Sequence, residues 1–168
     1  MARSAIRFAA DLSVDAGEAA LRLGSRASGV IEAIVDLLDS SELDRGEQQV
    51  LDQLRASMDL PKTLEEPQRP PTENTLGYQL HHVVEQNPAN VAKSPIIVAI
   101  EKFGRAALDD PCILVWAPTF KYELISDYYN SKDEGDPTHL RRQVVDDLDF
   151  AGQFAAGLAA LRKFGVLK

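Results

Sequence analysis

The sequence predicts a mostly helical α+β protein, and three observations carry that prediction. Apolar residues recur at helical spacing through much of residues 1–60 and again towards the end of the chain. Two short apolar runs in the second half, LGYQLHHVVEQ and CILVWAP, are rich in strand-forming residues. A proline-rich stretch separates the first helical part from the remainder, which indicates a helical segment followed by a domain of mixed structure.

Length and composition fit one ordinary domain with a helical extension. The chain has 168 residues, of which 45% are apolar and 26% charged, as is usual for a globular protein. No run approaches the ~18 consecutive apolar residues of a membrane-spanning helix, and Arg7 and Asp11 interrupt the start before a signal-peptide core forms. We therefore expect no membrane span and a protein that is cytoplasmic when made.

Residues 1–60 are predicted to form a helical N-terminal segment folded as a hairpin. Ser13 is a suitable N-cap for the first helix, and the second helix is expected to begin at Ser41. Residues 61–75 are predicted to be a linker, because PKTLEEPQRPPTENT contains four prolines, which lack a backbone donor and favour extended conformations. The apolar sides of the two helices need covering by another part of the protein.

Residues 76–168 are predicted to hold the mixed domain. The strand LGYQLHHVVEQ leads through a turn to a helix that ends near Leu108, and the strand CILVWAP follows. Thr119 is a suitable cap for a helix over TFKYELISDYYNSK, and a polar loop containing His139 comes next. Two helices, over LRRQVVDDL and DFAGQFAAGLAALRKFGVL, close the domain.

Several side chains of this domain have structural rather than chemical interpretations. Trp116 lies in an apolar strand and is predicted to be core. Tyr128 and Tyr129 are predicted to pack rather than to stack on bases, and Arg141 and Arg142 are predicted to belong to a solvated helix face.

Two of the three histidines are adjacent, His81 and His82, in the first predicted strand. Side chains alternate faces along a strand, so neighbours point to opposite sides unless the strand twists or ends. One imidazole could then hold a metal while the other faces a substrate. Since Cys112 is the only cysteine, an intrachain disulfide and a cysteine-built zinc site are excluded, and any metal needs His, Asp, Glu or Asn ligands.

The order of a histidine-bearing strand, a long excursion, a second strand and a helix resembles the LHH and WHH group of HNH-like nucleases, which form C-terminal domains of bacterial polymorphic toxins. That group has an HH(I/V)VEQ strand, an Asn-rich turn, a second strand closed by Pro, a Lys-His pair opening the helix and a closing Gly-Val-Leu. This chain has LHHVVEQNPAN, DDPCILVWAPTFKYELISDYY and ALRKFGVLK. The resemblance covers nearly all of residues 76–168 and implies a small HNH-like β-β-α metal motif.

The resemblance implies that His81 is a metal ligand and His82 the general base. A neutral imidazole takes a proton from water near neutral pH, and a divalent cation, Mg²⁺ or Zn²⁺, stabilises charge on the phosphate and the leaving oxygen. Glu85 follows on the same strand and would orient a histidine or reach the metal. An exposed strand carboxylate is the equal alternative for Glu85.

Two positions depart from the family pattern. Cys112 stands where the family has the Asn that orients the base, and a thiol does not supply that amide. Tyr122 stands at the family's metal-binding His on the helix, and a neutral phenol is a poor ligand for magnesium or zinc. Partial loss of activity is the favoured expectation, with three carboxylates as replacement ligands in the alternative: Asp110, Glu123 and Asp127.

The charge distribution bears on partners. The formal charge is −8, divided into 8 basic against 14 acidic residues in 1–75, or −6, and 10 against 12 in 76–168, or −2. Because affinity for phosphates comes largely from Lys and Arg, the second part is the better candidate for a nucleic acid substrate. The acidic N-terminal helices suit an immunity or delivery protein.

Three function classes remain. The first is a metal-dependent nuclease-like toxin domain that hydrolyses phosphodiester bonds in DNA or in RNA, and that is delivered into target cells as an effector. The second keeps the fold without the chemistry, as a catalytically degenerate HNH-fold domain that binds a protein or a nucleic acid. The third is a helical interaction protein unrelated to nucleases.

Overall fold

The computed structural model of the chain describes residues 35, 43–72, 75–84 and 101–168. Within them it is an α+β protein with helices and a two-stranded antiparallel sheet, as predicted. The helix predicted after Ser13 and the side chain of Glu85 lie outside the described residues. No helix in the described ranges is both long and apolar enough to cross a membrane.

Helix α1 (Arg45–Ser57) begins where a capping box fixes it rather than at Ser41. The Asp44 carboxylate accepts the backbone N–H groups of Gly46 and Glu47, both at 2.9 Å, and the Glu47 carboxylate accepts the Asp44 N–H at 2.9 Å. These bonds satisfy donors of the first turn that have no partner inside the helix. The sequence prediction of Glu47 in the first turn is confirmed, but Asp44, also predicted inside the helix, is its N-cap, so the predicted start is too early.

Strands β1 (Tyr78–His82) and β2 (Leu114–Pro118) form the hairpin. Each strand follows a single 3₁₀ turn, Thr75–Gly77 before β1 and Pro111–Ile113 before β2. Both strands are shorter than the apolar runs that predicted them. Strand β1 ends at His82, because the chain bends at Val83 and Val84, which are buried in the core, and β2 begins only after the turn over Pro111–Ile113.

Four further helices have both ends among the described residues: α2 (Arg105–Leu108), α3 (Thr119–Asn130), α4 (Arg141–Asp146) and α5 (Phe150–Lys163). The helix predicted to run to Leu108 is interrupted at Gly104, whose φ of 82° lies outside the helical region. Thr119 does not cap α3, since its hydroxyl donates to the Gly77 carbonyl at 3.1 Å. That bond ties the start of α3 to the start of β1.

The core lies between the hairpin and helices α3 and α5. Its buried apolar side chains are Val83, Val115, Ala117, Ile125, Tyr129, Val145, Ala160, Leu161, Phe164, Val166 and Leu167. Helix α5 crosses the end of β1 so closely that a Cβ on Gly157 would lie 1.9 Å from the Val83 carbonyl oxygen. Only a glycine allows this approach, which fixes the backbone directly after the histidine pair.

Residues 59–69, which we call the strap, include much of the predicted linker and pack against the C-terminal part. Lys62 forms a parallel bridge with Leu167, with backbone bonds of 3.0 Å from Lys62 N–H to the Val166 carbonyl and from Lys168 N–H to the Lys62 carbonyl. Pro67 is buried, and its carbonyl accepts the Trp116 N–H at 2.7 Å. The strap therefore follows the edge of β2 that faces away from β1.

Two adjacent arginines correct the prediction of a solvated helix face. Arg141 and Arg142 are each only 8% exposed. The Arg141 guanidinium stacks on the Tyr128 ring at 3.9 Å and lies 3.4 Å from the Asp133 carboxylate. Stacking and an ion pair together make this burial tolerable for a charged group.

Candidate functional site

The end of β1 presents the two histidines to opposite sides of the hairpin. His81 is paired with Val115, which is fully buried, so its side chain belongs to the inner, core-facing side. His82 is paired with Leu114 and belongs to the outer side. The strand register therefore confirms the expectation that neighbouring side chains, here His81 and His82, point to opposite sides.

His81 is largely buried against the first turns of α3. The rings of His81 and Tyr122 meet edge to face, with 5.5 Å between ring centroids and 81° between planes. Its Nε2 is buried and has no hydrogen-bond partner among the described residues. Burial, with a smaller effect of His82, lowers the pKa of His81 to about 4, so the imidazole is neutral at physiological pH.

His82 is half-buried at the turn that leads into β2. Burial lowers the pKa of its imidazole, and the nearby Asp109 carboxylate opposes that shift. Asp109 is itself held by Arg105, whose Nε lies 2.7 Å from the carboxylate. Sequence reasoning did not identify Asp109, because the DDP turn carries no signal beyond a turn.

Cys112 sits in the 3₁₀ turn beside His82 but does not act as the family's amide would. Its N–H donates to the Asp110 carboxylate and its carbonyl accepts from the Gln68 side chain, both at 2.8 Å. The thiol is exposed, and its interaction with Asp110 raises its pKa. At neutral pH this position supplies neither an amide nor a thiolate.

Tyr122 lies against His81, which is where the resemblance places a histidine. The preceding residue, Lys121, points elsewhere: its ammonium donates to the carbonyls of Asp59 at 2.6 Å and Gly165 at 2.9 Å. Burial lowers the pKa of Lys121. Lys121 therefore joins α3 to the strap and to the chain after α5 instead of reaching the histidines.

Among the described residues, only one of the expected metal ligands, His81, has a side chain suited to binding a metal. His81 fits a ligand, because it is neutral and its buried Nε2 has no partner in the described part of the chain. Tyr122 does not fit one. The described ranges contain no group of three His, Cys, Asp or Glu side chains that could hold a metal.

The three carboxylates considered as replacement ligands do not complete this group. Asp110 is engaged by the Cys112 N–H. Burial, together with repulsion from Asp127, raises the pKa of Glu123, which disfavours its charged form. The site therefore consists of His81, Tyr122, His82 and the Cys112 turn.

Protein-family models, curated proteins and solved structures were all compared with the chain, and none of them matches it.

Proposed function

We propose that residues 76–168 form a metal-dependent nuclease-like domain of the HNH type, which hydrolyses phosphodiester bonds in DNA or in RNA. The observation that carries the proposal is the histidine pair at the end of the first strand of a strand–strand–helix unit, with His81 against the opening of the helix. This arrangement places one imidazole inside and one outside the hairpin.

The chemistry assigned to each histidine follows from its surroundings. His82 is neutral and partly accessible, so it can accept a proton from a water molecule that attacks a phosphodiester. His81 is neutral, and its Nε2 has no hydrogen bond to any other residue that the structure describes. His81 and His82 lie on opposite sides of the hairpin, so a divalent cation held by His81 would stabilise the charge on the phosphate only at the end of β1, where the strand stops at His82.

In a second candidate function, the strand–strand–helix unit has no nuclease activity and serves as a module that binds a nucleic acid or a protein. It is favoured by Tyr122, whose ring fills the position beside His81, and by the absence of a three-ligand group among the described residues. The two candidates differ in turnover and in metal binding, so one assay separates them.

The test is cleavage of plasmid DNA and of a structured RNA by the intact chain, with magnesium, manganese, nickel and zinc in parallel. We expect metal-dependent cleavage that His82→Ala abolishes and that His139→Ala, a change to an exposed loop histidine, leaves unchanged. No cleavage by the native chain, together with cleavage by the Tyr122→His, Cys112→Asn double variant, would favour the binding module instead.

The proposal for partners concerns the first part of the chain. Residues 1–75 carry a net charge of −6, against −2 for the rest. We propose that this acidic part receives a basic delivery or immunity protein. Co-purification with and without residues 1–42 tests this, since loss of the partner only from the shortened chain is expected.

A further inference from the structure

The two edges of the hairpin differ in how they are covered. The Val83 N–H donates to the Ile113 carbonyl at 2.7 Å, in continuation of the strand register, so these two residues form a hydrogen-bonded pair. Such pairs alternate along an antiparallel ladder, so the backbone groups of Trp116 point away from β1. There they meet the strap, because the Pro67 carbonyl accepts the Trp116 N–H. The outer edge of β2 is therefore covered.

Strand β1 has a free edge on its other side. By the same alternation, the N–H and C=O groups of Tyr78, Leu80 and His82 point away from β2. No hydrogen bond between described residues involves these backbone groups. An edge of this kind is a template for a further strand, which natural proteins often block with lysine or proline. The strand sequence YQLHH contains neither residue.

Leu80 is an exposed apolar side chain at the middle of this edge. It is 42% exposed on the outer side of the hairpin, where it is paired with Trp116. Trp116 was predicted to be core but is itself only partly buried. The two side chains form an apolar patch beside the unpaired backbone groups, and covering this patch would favour association.

The two ends of β1 carry opposite charge. The charged groups at the Tyr78 end are two lysines and one aspartate, a net of +1: Lys62, Lys121 and Asp59. Those at the His82 end are one arginine and two aspartates, a net of −1: Arg105, Asp109 and Asp110. Antiparallel pairing of two β1 strands brings the positive end of one to the negative end of the other, whereas parallel pairing opposes like charges.

We propose that two copies of the chain associate through the free edge of β1, antiparallel and in a register centred on Leu80. Tyr78 of one copy then pairs with His82 of the other, and the two Leu80 residues pair with each other, with two backbone hydrogen bonds in each pair. The Leu80 side chains contact each other across the two-fold axis. Each His82 gains the Tyr78 ring of the other copy as a neighbour.

The association closes at two copies. The sheet of the dimer has four strands, and its outer edges are the β2 edges that the straps cover. A closed two-fold arrangement leaves no edge for a third copy. This inference does not depend on the proposed nuclease activity, although it adds a residue beside His82.

Sedimentation velocity of the intact protein over a range of concentrations measures the association, and we expect a dimer. Leu80→Lys places two like charges opposite each other and should raise the dissociation constant by about tenfold or more. Leu148→Lys is the matched control, because Leu148 is 40% exposed and lies between α4 and α5, outside the hairpin. It should leave the dissociation constant unchanged, and thermal unfolding shows that both variants are folded.

A mixture of two variants tests the register. Leu80→Glu alone should also be a monomer, for the same reason as Leu80→Lys. Mixed in equal amounts, the two variants should associate, because opposite charges then face each other. This recovery requires that position 80 of one copy lies opposite position 80 of the other.

Three results would overturn the inference: a monomer at every concentration, an equal loss of association with Leu148→Lys, or no recovery in the mixture. Hydrogen exchange at the Leu80 amide separates two reasons for a monomer. Slow exchange would show that another part of the same chain covers the edge, and fast exchange that the edge is open and unoccupied. The cleavage assay is judged separately, because cleavage by a monomeric chain contradicts only the dimer.

Discussion

The Tyr122 ring meets His81 edge to face, with 5.5 Å between centroids and 81° between planes. In this geometry an aromatic edge packs against an aromatic face, an arrangement that stabilises a folded chain by about 1 kcal/mol. The pair thus contributes to packing at the point where the family resemblance implies two metal ligands.

Replacing Tyr122 by His should increase affinity for divalent metals. A second imidazole would stand beside His81, and two histidines bind zinc or nickel better than one. The measurement is the unfolding temperature with and without zinc. At a metal concentration of about 100 times the dissociation constant, the stabilisation is about 2.7 kcal/mol. Tyr122→Phe is the matched control, and an equal metal effect in that variant would count against the prediction.

The buried, neutral His81 should cause the free energy of unfolding to fall as the pH is lowered into the mildly acidic range. Its pKa is about 4 in the folded protein and 6.5 in its ordinary state, so the unfolded chain binds more protons between these values. The stabilisation is complete above pH 6.5 and is lost as the pH falls towards 4, by about 3 kcal/mol in total. His81→Phe should flatten this part of the stability–pH curve. Urea unfolding at several pH values measures the effect, and an unchanged slope would contradict it.

Gly157→Ala should be strongly destabilising. The added Cβ would lie 1.9 Å from the Val83 carbonyl oxygen, which is backbone and cannot rotate away. The better helix propensity of alanine, about 1 kcal/mol, does not offset a clash that overpacking data place at about 3 kcal/mol or more. Thermal unfolding measures the loss. Gly46→Ala in α1 is the control, because its Cβ would meet its nearest atom at an ordinary 3.4 Å.

Lys121→Met should destabilise the protein although it removes no apolar packing. The carbonyls of Asp59 and Gly165 would both lose their donor, with a cost of about 2 kcal/mol. Lys132→Met removes an exposed lysine from a loop and should have little effect. Chemical denaturation of the two variants measures the difference, and similar values for both would show that the buried ammonium contributes little.

The helices and the hairpin were predictable from the sequence because their signals are local. The spacing of apolar residues indicated α3 and α5, and the strand-forming runs indicated β1 and β2. Element ends were less accurate, since Asp44 and Gly104 act through hydrogen bonds and dihedral angles that periodicity does not contain. The opposite facing of His81 and His82 also followed from the strand period alone.

The strap, the partial exposure of Trp116, which was predicted to be core, and the buried arginines were not predictable, because each depends on contacts between distant residues. Prolines indicated a linker, yet Pro67 accepts a bond from Trp116. The sequence predicted a solvated Arg141, whereas its guanidinium packs on the Tyr128 ring. At the site itself, the sequence named His81 and Tyr122, but the edge contact between them required the fold.

The bridge between Lys62 and Leu167 also sets an order of events during translation. The ribosome makes the strap roughly 100 residues before the C-terminal segment around Leu167 that pairs with it, a delay of about 10 seconds at usual elongation rates. Throughout that interval Pro67 and Leu64 face water or a chaperone. A nascent chain stalled within α5 should therefore be sensitive to proteases at the strap, whereas the finished protein is protected there.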